Sequence, residues 1–163
     1  MLRFFSLIRL QRADAHLLIL TGSPETLPSA LERFPVLKLA VSTMSVSADL
    51  VPEYLACADL GMALRRTSFS MQGVAPIKLG EYLLCGLPVV ASTGVGNTDA
   101  IGPDVGFLVS EMDDSGLDAA ANWFLNTALP QRETFRLRCN ETGIAHFSLD
   151  ACVDNHHKAL LAL

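Results

Sequence analysis

Short apolar runs recur along this chain, each closed by turn residues and separated from the next by a segment with helical spacing. No other feature narrows the choice of fold so far, because parallel strands need a crossover between them, usually a helix, and bury both faces of their sheet. The expected strands are His16 to Thr21, Leu37 to Ser42, Ala58 to Leu64, Leu87 to Ser92 and Val105 to Val109. The expected helices are Leu2 to Gln11, Pro24 to Arg33, Ala48 to Cys57, Ile77 to Cys85, Asp113 to Asn126, Gln131 to Phe147 and Leu149 to Leu161. Pro76 and Gly86 punctuate the fourth helix at the ends where those residues belong. From Asp113 onward the pattern is helical and carries no further strand signal. The reading is an open, doubly wound α/β domain: a mostly parallel sheet, helices on both faces and a helical final third.

The length of 163 residues fits one core of ordinary depth, and two complete domains would be cramped. Half of the residues are hydrophobic and 18% are charged, a composition that excludes disorder. Seventeen acidic against twelve basic side chains give a formal charge of -5. Nucleic acids and anionic membranes need clustered Lys and Arg, so neither is expected as a partner. No apolar stretch is long enough to span a bilayer. The opening MLRFFSLIRLQR, interrupted by Arg3, Arg9 and Arg12, reads as a surface helix and not as a signal. Cys57, Cys85, Cys139 and Cys152 form no C-x-x-C pair, which favours a reducing cytoplasm.

In doubly wound folds the ligand lies beyond the carboxyl ends of the strands, so the loops there are the places to search. One such loop is Arg65 to Lys78 (RRTSFSMQGVAPIK), which leads through Gly73 and Pro76 into the helix carrying Glu81. Gly73 lets backbone approach a ligand, and the helix start after it offers unpaired N–H groups to an anionic phosphate. Glu81 is about one turn in, where a carboxylate can accept hydrogen bonds from sugar hydroxyls. The plain alternative is a strand-to-helix loop, with Glu81 a favourable first-turn acid and Lys78 solvated.

The loop Ser92 to Gly102 (STGVGNTDAIG) has Gly94 and Gly96 after a strand, like the start of a dinucleotide fingerprint. Three residues later stands Asp99, where that fingerprint requires a small residue and where an acid would repel a pyrophosphate. A turn is the better reading. His156 and His157 adjoin on the last helix with Cys152 nearby, but adjacent side chains diverge by about 100° and do not readily meet one ion. A solvated helix face is expected there, with no metal. Trp123 and Phe124 read as core. No G-x-S-x-G elbow, P-loop or H-E-x-x-H occurs.

Taken together, Glu53 to Leu64 (EYLACADLGMAL), Ala75 to Ser92 (APIKLGEYLLCGLPVVAS) and Gly106 to Val109 (GFLV) resemble the carboxy-terminal half of a GT-B glycosyltransferase of the retaining group 1 type, family 4-like. The combined pattern P-x-K-x-x-E-Y followed by C-G-L-P-V-V-A-S is specific, and the resemblance runs over nearly the whole chain. Phe147 to Leu149 before the last helix is similar to the family's terminal crossover. The resemblance implies that residues 1–163 form one Rossmann-like domain that binds a nucleotide-diphosphate sugar as substrate, with no cofactor and no metal. Glu81 would then hydrogen-bond the donor ribose. The backbone of Gly73, Val74 and Ala75 would face the diphosphate or sugar, with Lys78 nearby, and Thr43 and Met44 would frame the base.

Many relatives carry a further glutamate eight positions before the ribose-binding one, and here that position is Gly73. The resemblance also implies that the chain starts at the first helix of the nucleotide-binding half. One strand, with a loop that holds an Arg and a Lys for the diphosphate, and the whole acceptor-binding domain would lie outside it. That strand belongs inside the sheet, between those expected at His16 and Ala58. Its absence would leave an unpaired edge open to self-association or to a partner chain. The expected function is glycosyl transfer to an acceptor, with this chain as the donor-binding part of a cytoplasmic enzyme whose full-length form sits at the inner membrane surface. Two alternatives are a non-catalytic nucleotide-sugar-binding module or subunit that needs a partner, and an unrelated nucleotide-dependent enzyme of the doubly wound class, which protection by NAD would support.

Overall fold

A computed structural model describes residues 1–66, 68–74, 77–96, 98 and 100–161. Its strands are β1 (Leu17–Leu20), β2 (Val41–Met44), β3 (Gly61–Ala63), β4 (Val89–Ser92) and β5 (Gly106–Val109). Its helices are α1 (Leu2–Gln11), α2 (Leu27–Leu31), α3 (Val51–Ala56), α4 (Ile77–Leu84), α5 (Asp114–Trp123), α6 (Arg132–Phe147) and α7 (Leu149–Leu161). β3, β4 and β5 form one sheet and β1 and β2 another, with every pairing parallel.

All four residues of β4 are buried, as a parallel strand covered on both faces requires. Val90 and Val109 join one core with Phe4, Phe5 and Ile8 of α1 and Leu117, Ala120 and Ala121 of α5. Val89 and Ala91 face the other way, onto Leu79 and Leu83 of α4 and Cys139 of α6. Helices therefore cover both faces, and α5 to α7 make the final third helical, in agreement with the doubly wound reading. Trp123 packs against Phe107 and Phe135, with ring centroids 5.9 and 5.7 Å away. Phe124 is buried in the same core.

α4 ends in a Schellman turn. Leu87 N–H donates to the Tyr82 carbonyl at 2.8 Å and Gly86 N–H to the Leu83 carbonyl at 2.8 Å, with Gly86 at φ 74. α4 then lies hard against α6. A Cβ on Gly143 would come within 2.6 Å of the Leu84 backbone nitrogen.

The structure corrects several sequence expectations. The strands fall into two parallel sheets, β1–β2 and β3–β4–β5. The amides of Leu17 and Thr21 face the β2 side, donating to the Ala40 and Met44 carbonyls, and those of Gly61 and Arg65 face the β4 side, donating to the Pro88 carbonyl and the Ser92 hydroxyl. With a period of two, the amides of Leu18, Leu20, Met62 and Leu64 face the opposite edges, which have no strand partner among the described residues. The expected strand Leu37 to Ser42 lies further along, because Pro35 starts a 3-10 turn, Pro35–Leu37, that buries Leu37 before the chain extends. The helix expected over Pro24 to Arg33 is a 3-10 turn, Pro24–Thr26, followed by the short α2. The helix expected over Asp113 to Asn126 widens into a π turn at Phe124–Ala128.

Candidate functional site

The carboxyl ends of β3 and β4 are tied together. Beyond the last backbone pair, Ala63 with Ala91, the Arg65 N–H donates to the Ser92 hydroxyl oxygen at 2.9 Å. That hydroxyl in turn donates to the Met112 Sδ at 3.6 Å, so Ser92, 1% exposed, is a buried polar group with both roles filled. After β3 the chain makes a 3-10 turn, Phe69–Gly73, and the Gly96 N–H from the loop after β4 donates to the Met71 carbonyl at 2.9 Å. The two loops named from the sequence are therefore joined by a hydrogen bond.

Gly73 closes the 3-10 turn with open space around its Cα, and a Cβ there would meet nothing within 4 Å. Val74 follows in extended conformation at φ -81 and ψ 127. Ala75 lies outside the described residues. In α4, Leu79, Gly80 and Leu83 are buried while Lys78 and Glu81 are exposed, three residues apart and so on one side of the helix. Burial, together with the neighbouring Glu81 carboxylate, raises the pKa of the Tyr82 phenol above its ordinary value. The same two causes raise the Cys85 thiol, opposed by Arg136. Gly73, Val74, Lys78 and Glu81 thus belong to one strand–turn–helix unit.

Thr43 and Met44 do not join them in a loop. They are the last two residues of β2, in the other sheet, with Thr43 half-buried and Met44 exposed. The displaced strand accounts for this: with Pro35–Leu37 coiled, the extended segment runs through to Met44, whose carbonyl accepts from the Thr21 N–H at 2.9 Å. The glycines of the second loop behave as turn glycines, Gly94 at φ 69 and Gly96 at φ 64. His156 and His157 are exposed on α7. Among the described residues no group of three or more His, Cys, Asp and Glu side chains is placed to share a metal.

Sequence reasoning overlooked Ser92. Its one available signal was a hydroxyl at the end of an otherwise apolar, fully buried run, VVAS. No helix among the described residues is long and apolar enough to cross a membrane.

The family described as "Glycosyl transferases group 1" matches residues 1–127. A chitobiosyldiphosphodolichol beta-mannosyltransferase of Candida albicans is 35% identical over 79 residues, which are 46% of this chain and 17% of that protein. WaaG, a glycosyltransferase involved in lipopolysaccharide biosynthesis, superposes with a TM-score of 0.67 at 20% identity, covering 90% of this chain and 39% of its own. Anabaena Alr3699/HepE, solved in complex with UDP and glucose, superposes with a TM-score of 0.64 at 18% identity, covering 97% of this chain and 44% of its own. Its complex with UDP gives 0.63 at 19%, over 91% and 41%. The chain thus spans 17% of the curated relative and 39% to 44% of these solved chains.

Proposed function

The chain belongs to the glycosyl transferases of group 1 and takes the GT-B fold, and from that premise we propose that residues 1–163 are the donor-binding part of a sugar-transferring enzyme. The observation that carries the reading is the β3–α4–β4 unit, which carries Gly73, Val74, Lys78 and Glu81 and whose loop after β3 is hydrogen-bonded to the loop after β4. HepE was solved with UDP and with UDP and glucose, which supports a nucleotide-diphosphate sugar as the donor class.

In this reading Glu81 accepts hydrogen bonds from the ribose hydroxyls. The first-turn N–H groups of α4 and Lys78 stabilise the diphosphate as charge gathers on it. The bond between the anomeric carbon and the diphosphate oxygen breaks, and its electron pair leaves with the diphosphate. A new bond forms from that carbon to an acceptor oxygen, which gives up its proton, and configuration is retained. Thr43 and Met44 frame the base from the second sheet. The diphosphate or sugar is assigned to the backbone of Gly73 and Val74, and to that of Ala75 by the resemblance alone. The acceptor-binding half comes from outside residues 1–163.

A subunit that works only with a partner is the second reading, favoured by the edges of β1 and β3 that lack strand partners among the described residues. A strand from another segment, or a second copy of this chain, would pair there. Four free thiols support a reducing compartment.

The test is thermal unfolding with UDP, GDP, ADP and NAD, on the wild type and on Glu81→Ala. At one hundred times its Kd a ligand adds about 2.7 kcal/mol, which for a domain of this size raises Tm by roughly 5–10 °C. One nucleoside diphosphate is expected to do so, NAD is not, and Glu81→Ala is expected to abolish most of the rise. A folded chain that no nucleoside diphosphate stabilises overturns the donor reading, and stabilisation by NAD alone points to the unrelated enzyme class.

A further inference from the structure

We propose that Tyr82 is a positioning residue for Glu81: its ring, seated on Gly61 of β3, sets the rotation of α4 and so the direction in which the neighbouring carboxylate leaves the helix. The inference rests on the donor reading above and adds to it what aims Glu81. A Cβ on Gly61 would come within 2.5 Å of the Tyr82 Cγ and Cδ2, so the ring lies directly on the strand backbone, where only glycine admits it. The Tyr82 hydroxyl donates to the Met62 carbonyl of the same strand at 3.5 Å. α6 holds another side of α4 as closely. A Cβ on Gly80 would come within 3.0 Å of the Phe147 side chain, and one on Gly143 within 2.6 Å of the Leu84 nitrogen.

Helix geometry turns these contacts into a constraint on Glu81. Side chains advance by about 100° per residue, so Gly80 and Leu84 leave α4 on nearly the same side and Tyr82 on roughly the opposite one. Glu81 stands between them, in the exposed arc that it shares with Lys78. Turning α4 one way presses the Tyr82 ring into the Gly61 backbone. Turning it the other way presses Gly80 and Leu84 into Phe147 and Gly143. The carboxylate therefore starts from a fixed point on the helix, and a group held in its productive direction before the ligand arrives binds more tightly than one that must first be ordered.

A double-mutant cycle read in nucleotide affinity tests this. UDP, GDP and ADP are titrated into the wild type, Tyr82→Leu, Gly61→Ala and Tyr82→Phe, and into each of these combined with Glu81→Ala, once thermal unfolding has shown that the variant is folded. For the nucleotide that binds, Tyr82→Leu and Gly61→Ala are expected to weaken affinity about fivefold while Glu81 is present and to cost nothing further in the Glu81→Ala background, because changes that act through one group do not add. Tyr82→Phe keeps the ring and is expected to match the wild type. Equal losses with and without Glu81, no loss in Tyr82→Leu and Gly61→Ala, or a loss in Tyr82→Phe as large as in Tyr82→Leu overturns the inference and leaves the donor reading standing. Should Gly61→Ala fail to fold, Tyr82→Leu carries the cycle alone. If no nucleotide binds, or if Glu81→Ala binds it as the wild type does, the donor reading itself fails and the inference falls with it.

Discussion

The Arg65 backbone N–H donates to the side-chain oxygen of Ser92 at 2.9 Å, joining β3 to β4 one step past their last backbone pair. Ser92→Ala removes the acceptor and leaves a half-buried amide without its bond, a loss of about 1–3 kcal/mol. Tm is expected to fall by several degrees, and nucleotide affinity should fall with it because the Arg65 to Lys78 loop is no longer anchored. An unchanged Tm would show that the tie does not hold the strand ends.

The α4–α6 contact depends on two glycines. Gly143→Ala places a Cβ 2.6 Å from the Leu84 nitrogen and should destabilise by about 1–3 kcal/mol. Gly86→Ala puts a side chain at φ 74 and 3.0 Å from the Arg136 carbonyl oxygen, at a cost of about 1–2 kcal/mol. Gly73→Ala is the control, since a Cβ there meets nothing within 4 Å and the residue has no positive φ. Denaturant unfolding should leave Gly73→Ala at wild-type stability, and loss of nucleotide binding in that variant would then report contact with the ligand.

Helix limits were legible where punctuation was local. Gly86 ends α4 as expected, and the Schellman turn there gives the reason, while Pro76 lies outside the described residues. The β2 register was not legible, because Leu37 to Ala40 is as apolar as a strand and only the turn started at Pro35 assigns it elsewhere. Periodicity cannot separate those two uses of a short apolar run. Lys78 and Glu81 were expected in one contiguous helix, and α4 carries both. Thr43 and Met44 were misplaced with their strand. Ser92 was overlooked because its partner is 27 residues away in sequence. The periodicity of each strand does not say which edges meet; only the resemblance raised an unpaired edge between the strands expected at His16 and Ala58, where the structure divides the strands into two sheets.

Thiol chemistry should sort the four cysteines. Burial, reinforced by the Asp104 charge, pushes the Cys139 thiol up to about 12, and its S–H points to the Val105 carbonyl at 3.5 Å. Exposed Cys57 and Cys152 should react quickly with a disulfide reagent at pH 8, Cys85 more slowly, and Cys139 only on unfolding. The raised pKa also has a consequence for stability. From about pH 9 the unfolded chain releases the Cys139 proton while the folded chain keeps it, so stability falls as pH rises, and Cys139→Ala should flatten that slope. Fast labelling of Cys139 in the native protein would contradict this placement.

The open edge of β1 makes a prediction about exchange. The amides of Leu17 and Thr21 face the β2 side, donating to Ala40 and Met44, so that of Ile19 faces it too, while Leu18 and Leu20 face away. In the isolated chain, hydrogen exchange at Leu18 and Leu20 should be much faster than at Ile19. If a partner strand or a second copy pairs there, their protection should rise with its concentration. Equal protection of all three amides at high dilution would show that the edge is already covered.

The central claim is that a nucleotide-sugar donor binds at the carboxyl ends of β3 and β4. Amide chemical-shift mapping during titration with UDP, GDP and ADP tests it most directly. The account predicts that one of them shifts residues 64–66, 73–74, 77–81 and 92–96 together, saturating with a single affinity that Glu81→Ala weakens. Shifts confined to the exposed face of α7, or none in a folded chain, would contradict it.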